Sequence, residues 1–335
     1  MKIKASLGKI IFFLFLLVFI WIIITRFGQT KQMVMVLSSG RWYWIALAVL
    51  CQLFYYPFYA RFIEFIVNIF GMTFPRKKIL MINIASKFTD VALPLATFGQ
   101  VAVFIRNARK EKLPALDAGI SIVFALLSQV ASFLFLAIFV SSILSFFGQQ
   151  RAYLLIPILF LSLVIIVAVW FLVRLSIFRK KPNGTILWVI KKISKIAGQG
   201  HISESEIEQI FMETGTDLRR ANNKIWKALL LSFSTHLINL LTLAFIYLAF
   251  MGTINPLAII GGYVACLLFT IVSITPQGVG VAETVMVATF RSFGLDLSQA
   301  AVITLAYRSL LYWLPMFVGF YVFSRLELKN EDKTV

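Results

Sequence analysis

Histidine and cysteine each occur only twice in the chain, and charged residues make up only 14% of it. Each shortage excludes a class of function. Two histidines leave little room for metal catalysis. The two cysteines, Cys51 and Cys266, both sit in apolar segments without metal-ligand spacing, so neither a disulfide nor a metal site is expected. No Gly-x-Ser-x-Gly, His-Glu-x-x-His or Walker loop is present. No paired carboxylate of the kind a nucleotide-sugar enzyme needs faces a loop. No cofactor is expected, and no catalytic motif stands out.

Charge is missing most conspicuously from two runs. Between Ala118 and Gln150, and again between Ala228 and Ala282, there is no Lys, Arg, Asp or Glu. A bilayer core of ~30 Å needs ~20 apolar helical residues. Both runs exceed that, and the second has room for more than one crossing. The chain is 60% hydrophobic over 335 residues, which places it among all-α polytopic membrane proteins rather than soluble domains.

Against this background the net charge of +18 points to anionic lipid and to topology, not to nucleic acid. Lys2, Lys4 and Lys9 precede an apolar run with no small-residue cleavage site, the pattern of an uncleaved first helix. Six segments read as full spans: Ile10–Thr25, Trp42–Ala60 (running on to Phe70), Ala118–Phe147, Tyr153–Val173, Ala228–Met251 and Ser298–Ser324. Two others are interrupted. Ile79–Ile105 carries Lys87, Asp90 and Pro94 in its middle, and Pro256–Phe293 is broken by Thr275-Pro276-Gln277-Gly278-Val279-Gly280.

Orientation bears on what the interrupted segments do. With the N-terminus inside, the second span returns to the cytoplasm at Arg76, Lys77 and Lys78. If Ile79–Ile105 crossed, the loop from Arg174 to Lys227, with eleven basic and five acidic residues, would lie outside. That violates the preference of Lys and Arg for the cytoplasm. A segment that enters, breaks near Pro94 and leaves on the same side restores the rule. The same reasoning makes Pro256–Phe293 a hairpin opening from the outer side. The expected layout is therefore about six full spans plus two re-entrant broken-helix hairpins, in an inverted-repeat arrangement. It comprises a first half at 1–178, a cytoplasmic connector at 179–227 and a second half at 228–328. Transporters use such layouts to build mid-membrane sites from discontinuous helices. Both termini are expected in the cytoplasm, and the location is the cell inner (plasma) membrane.

The polar groups inside the apolar spans are the candidate site. A helix restarting near Val281 offers first-turn N–H groups that suit an anion. Glu283 in that turn either caps these groups, binds a proton or cation, or pairs with a buried arginine. Arg308, ten residues into the last span, costs roughly 2.5–3.5 kcal/mol to insert unless it finds a partner or a wet cavity. It is either the ion-pair partner of Glu283 or a phosphate clamp, for which the guanidinium fork is suited. Lys87 and Asp90 either pair as i,i+3 neighbours or line a cavity. His236, with Ser232, Thr235 and Asn239 nearby, reads as a helix-packing patch. The substrate-binding candidates are Arg308, Glu283, Gly278, Gly280, Lys87, Asp90 and Tyr307.

Pro276-Gln277-Gly278-Val279-Gly280-Val281-Ala282-Glu283 resembles the P-x-G-x-G-x-x-E signature of the lysylphosphatidylglycerol synthase transmembrane-region family, also called the flippase-like domain family. Ala306-Tyr307-Arg308 and Trp313-Leu314-Pro315 are similar to that family's tyrosine-arginine and tryptophan-x-proline helix. In the first half Leu93-Pro94 matches, but Gly99-Gln100 stands where relatives often have Gly-Glu. The resemblance implies a lipid flippase or transporter for a phospholipid or other lipid-phosphate. The alternative is a membrane enzyme, or enzyme subunit, acting on polyprenyl-phosphate or phosphatidylglycerol. The chain stops at Val335 without the aminoacyl transferase domain of the full-length synthases, so synthesis of lysyl-lipid is not expected of it. Expected partners are membrane lipids with anionic head groups, and a further copy of the chain or a separately encoded transferase, not nucleic acid.

Overall fold

The computed structural model describes residues 35–146 (apart from 37 and 93–95), 188, 191 and 222–331 (apart from 274). The expected spans at Ile10–Thr25 and Tyr153–Val173, most of the connector at 179–227 and Pro94 itself lie outside the described residues.

Every described element is helical. Those of the first half are α1 (Trp42–Ile69), α2 (Arg76–Ala92), α3 (Ala96–Lys110) and α4 (Ala115–Phe146). Those of the second are α5 (Asn222–Met251), α6 (Pro256–Val272), a short turn of tighter helix at Pro276–Gly278, α7 (Val281–Ser292) and α8 (Leu297–Arg308). A wide π-helical turn at Ser309–Trp313 leads into α9 (Leu314–Glu331).

Among the described residues, four stretches are long and apolar enough to cross a membrane: Trp42–Ile69, Asp117–Phe139, Lys224–Met251 and Leu297–Ser324. A helix of 28 residues, such as α1, is about 42 Å long, more than the ~30 Å hydrocarbon layer. α1 runs on past Ala60 to Ile69, in line with the run-on to Phe70, whereas α5 starts earlier than expected, at Asn222 rather than Ala228. Charged residues at these ends do not stop a helix, because Arg61 is exposed and Lys227 lies over the Phe65 ring, 5.3 Å from its centroid.

Both interrupted segments form pairs of packed helices. Lys78, near the start of α2, is ion-paired with Glu111, just past the end of α3, so the segment returns to where it began. Arg76 reaches back to Glu64 on α1 at 2.7 Å. In the second pair, Gly261 and Gly262 near the start of α6 lie against Phe293 and Phe290 at the end of α7. The entrance to α6 is sharply defined: Pro256 occupies the first turn, and Asn255 accepts a hydrogen bond from the Ala258 N–H at 3.1 Å.

Helices α1 and α5 are antiparallel neighbours. The Arg41 N–H donates to the Ala249 carbonyl at 2.9 Å, Trp44 stacks on Phe245, Gln52 bonds Asn239 and Thr242, and Phe65 meets Lys227. The first helix pair follows the C-terminal end of α1 and the second follows the C-terminal end of α5. Since these ends point in opposite directions, the two pairs open at opposite ends of the bundle.

Two apolar cores result. One joins the C-terminal half of α1 to α2, α3 and the start of α4. The other joins the second half of α4 to α5, α6, α7 and α8. Large side chains such as Leu53, Phe54, Phe135, Phe139, Leu230 and Leu241 remain on the outside, as surface facing acyl chains requires.

Candidate functional site

The second helix pair breaks where the sequence places Pro276, Gly278 and Gly280. Gln277 takes φ +52, a left-handed conformation uncommon for a side chain with a Cβ. Gly278, at φ +67, lies so close to α6 that a Cβ there would come within 2.8 Å of the Thr270 Cα. Glycine at 278 therefore meets both a backbone conformation and a lack of space.

The restart of the helix is filled by its own carboxylate. Glu283 accepts the Gly280 N–H with Oε2 at 2.7 Å, and the Arg308 Nε–H with Oε1 at 2.7 Å. Arg308 also donates from a terminal nitrogen to the Gln277 carbonyl at 2.9 Å. Two of the readings for Glu283 thus hold at once: it caps α7 and pairs with arginine. The helix start meets a protein carboxylate, and Gly278 and Gly280 act by shaping the turn.

Arg308 ends α8, and its side chain is only 7% exposed. The wide turn that follows brings Tyr312 beneath the guanidinium, 4.8 Å from its carbon to the ring centroid. Such wide turns recur at functional sites. The Leu297–Ser324 span is also the most enclosed of the four, with 56% of its apolar window buried.

Arg308 lines a cavity of about 170 Å³. Lys87 enters it from the first helix pair, and Tyr263, Cys266, Thr270 and Gln277 from the second. Tyr307, Leu311 and Tyr312 flank Arg308. The opposite wall holds Gln52 and Tyr55 of α1, Gln129 of α4, and His236 and Asn239 of α5. These residues lie near the middles of long helices, so the cavity sits at mid-depth in the bundle.

Of the seven candidates, Arg308, Lys87 and Tyr307 line the cavity; Glu283 stands behind Arg308; Gly278 and Gly280 form the broken turn. Asp90 is on α2 with Lys87, and its side chain lies outside the described residues. Gln100 does not line the cavity: its amide points toward the Tyr59 hydroxyl at 3.4 Å.

The wall opposite Arg308 was not among the candidates. Gln52 donates to Asn239 Oδ1 at 3.1 Å and to Thr242 Oγ1 at 2.9 Å, joining α1 to α5. His236 holds helices together, as its sequence setting implies, and also borders the cavity. Its Nε2 is 3.1 Å from the Gln129 backbone carbonyl, which can only accept, so Nε2 carries the proton. Nδ1 must then accept from the Tyr263 hydroxyl at 2.7 Å. A signal for this wall exists in the sequence: α1, α4 and α5 each carry an amide side chain near the middle of the span.

A family model described as the lysylphosphatidylglycerol synthase TM region matches residues 7–319. The chain belongs to that family. A UPF0104 membrane protein of Methanocaldococcus jannaschii is 26% identical over 329 residues, covering 96% of this chain and 95% of the relative. A second UPF0104 membrane protein, from Pyrococcus horikoshii, is 26% identical over 194 residues, covering 55% of this chain and 57% of the relative. As a member of the lysylphosphatidylglycerol synthase TM region family, with four membrane-capable helices among the described residues, the chain is a multi-pass membrane protein.

Proposed function

We propose that the protein moves a phospholipid or other lipid-phosphate between leaflets through the cavity at mid-depth. The observation that carries this reading is the meeting of Arg308 and Lys87, from opposite halves of the chain, on one cavity deep in an apolar bundle. Ionisable side chains inside a membrane protein, here the buried Arg308 and the half-buried Lys87, mark a path for a charged group. A guanidinium has five N–H donors. Arg308 commits one to Glu283 and one to the Gln277 carbonyl, so further donors serve a phosphate. Glu283 keeps Arg308 balanced when the phosphate leaves.

The two helix pairs support the reading. Each returns to its own starting point, and they open at opposite ends of the bundle. In this reading the two pairs are re-entrant hairpins in inverted halves, reached from the two leaflets. The first pair opens to the cytoplasm, with both termini on that side of the plasma membrane. Alternating exposure of the site then needs only a rocking of one half against the other. The partners of the protein in this reading are membrane lipids.

The test is a proteoliposome assay with acyl-labelled fluorescent phospholipids and a membrane-impermeant quencher. Translocation is expected to exceed that of protein-free vesicles and to fall at least tenfold in Lys87→Gln. The reading is wrong if neither anionic nor zwitterionic lipid crosses faster than in empty vesicles.

A further inference from the structure

His236 takes no part in the clamp around Arg308, yet it is one of only two histidines in the chain and it borders the same cavity. Resting on the transport reading above, we propose that His236 is a proton-binding site, and that a proton taken up on its Nδ1 crosses together with the lipid phosphate.

The hydrogen bonds leave the imidazole one place for a second proton. Nε2 already donates to the Gln129 carbonyl at 3.1 Å, an acceptor fixed in the backbone of α4. Nδ1 accepts from the Tyr263 hydroxyl at 2.7 Å. A hydroxyl both donates and accepts, so this bond can reverse. When a proton from water adds to Nδ1, the imidazolium donates to the Tyr263 oxygen. The phenol keeps its own proton and turns it out of the bond. The Asn239 amide faces the same oxygen as a donor, so both lone pairs are then engaged. The phenol O–H is left to the cavity, which Tyr263 lines, and a phosphate oxygen there accepts it. Loss of the Nδ1 proton to water reverses each step, and Tyr263 remains a phenol throughout.

The surrounding charges make this step depend on the cargo. Around His236, α1 presents Tyr55, α4 the neutral Gln129, α6 Tyr263 and Cys266, and α8 Tyr307 and Arg308. Lys87 of α2 borders the same space. No carboxylate is among the described lining residues. Glu283 stands behind Arg308 and is paired with it at 2.7 Å. Lys87 has no ion-pair partner among the described residues. In the empty site an imidazolium would therefore join an uncompensated ammonium, and in a low-dielectric interior like charges repel strongly. A phosphate monoanion cancels the ammonium and removes that opposition. Proton and phosphate then strengthen each other's binding by one common factor, as linkage requires. A site that holds both or neither carries no proton across without its lipid.

Nitrogen NMR of the purified full chain labelled with 15N-histidine tests the proposal. The signals lost in His201→Gln belong to the other histidine, which leaves those of His236. The probe is phosphatidylglycerol, a phosphodiester whose own charge is constant between about pH 5 and 8, the interval in which histidine changes charge. Without lipid, His236 should show one protonated and one bare ring nitrogen. Saturating lipid should convert it to a ring with both nitrogens protonated, at a pH where the lipid-free protein stays neutral. A ring that stays neutral with lipid bound across the whole interval overturns the proposal.

In proteoliposomes, translocation of acyl-labelled phosphatidylglycerol should rise by at least about fivefold from the alkaline to the acid end of that interval, the low end of ordinary coupling between sites. His236→Gln keeps an amide donor and acceptor but does not titrate, so its rate should be the same at both ends. If that variant fails to fold, the NMR result decides. Translocation by the wild type at one rate across the interval overturns the coupling and leaves lipid transport standing. A pH dependence that survives in His236→Gln puts the proton elsewhere and overturns the assignment. No translocation of any phospholipid at any pH removes the transport reading and the coupling with it.

Discussion

Gly319 of α9 presses against the Ile84 carbonyl of α2 so closely that a Cβ would sit 2.4 Å from the oxygen. The contact joins the last span of the second half to the first arm of the opposite helix pair, one turn before Lys87. It is a backbone-to-backbone contact, so no flexible side chain can yield. Phe88 next to it also packs on Phe320 and Phe323.

Gly319→Ala is therefore predicted to destabilise the protein by about 1–3 kcal/mol, the usual cost of overpacking. It should also move α2, and Lys87 with it, away from the cavity. Thermal unfolding in detergent checks the first effect, and lipid translocation at a temperature where the variant is folded checks the second. A variant with unchanged midpoint and unchanged transport would show that the two helices are free to separate.

The two glycines of the broken turn make a controlled comparison. Both have positive φ, +67 at Gly278 and +85 at Gly280. Only Gly278 lacks space: a Cβ there meets the Thr270 backbone at 2.8 Å, whereas nothing lies within 4 Å of one at Gly280. The left-handed conformation costs roughly 1–2 kcal/mol for a residue with a Cβ. Gly280→Ala should lose about that much, and Gly278→Ala clearly more, because the turn must also move off α6. Thermal midpoints of the two variants measure the difference. Equal midpoints would mean that the approach of the turn to α6 contributes nothing.

How much of this was legible follows from what each feature costs. A charge-free run of apolar residues has no low-energy alternative to a helix in lipid, so the long helices could be read directly. A Pro-Gly-Gly cluster cannot continue a helix, so the break at 276–280 was legible as well. Arg308 is so costly in an apolar span that a partner had to exist, and Glu283 was the nearby carboxylate. Gln52, Gln129 and Asn239 are different. Neutral amides cost less to bury, and their partners lie far away in sequence, with Gln52 and Asn239 separated by 187 positions. Nothing local announces such a pairing. The wide turn at Ser309–Trp313 is announced only indirectly, by Pro315, which has no N–H for the Leu311 carbonyl within that turn. The tight packing of Gly319 depends on a helix from the other half of the chain, and a lone glycine in a span does not name its neighbour.

The Arg308–Glu283 pair allows structural and functional roles to be separated. Removing one member of a buried ion pair costs about 3–5 kcal/mol, because the other charge is left uncompensated. Arg308→Ala leaves the Glu283 carboxylate stranded beside the Gln277 turn and should fold poorly. Glu283→Gln leaves an uncompensated guanidinium on the cavity and loses the charge on the cap of α7. The double variant Arg308→Ala, Glu283→Gln removes both charges, while the amide oxygen introduced at position 283 still accepts from the Gly280 N–H. It should recover most of the thermal stability lost in Arg308→Ala. Transport should not recover with it, since the phosphate has lost its clamp. A double variant that regains both stability and translocation would reduce Arg308 to a structural ion-pair partner and leave Lys87 as the functional cation of the cavity.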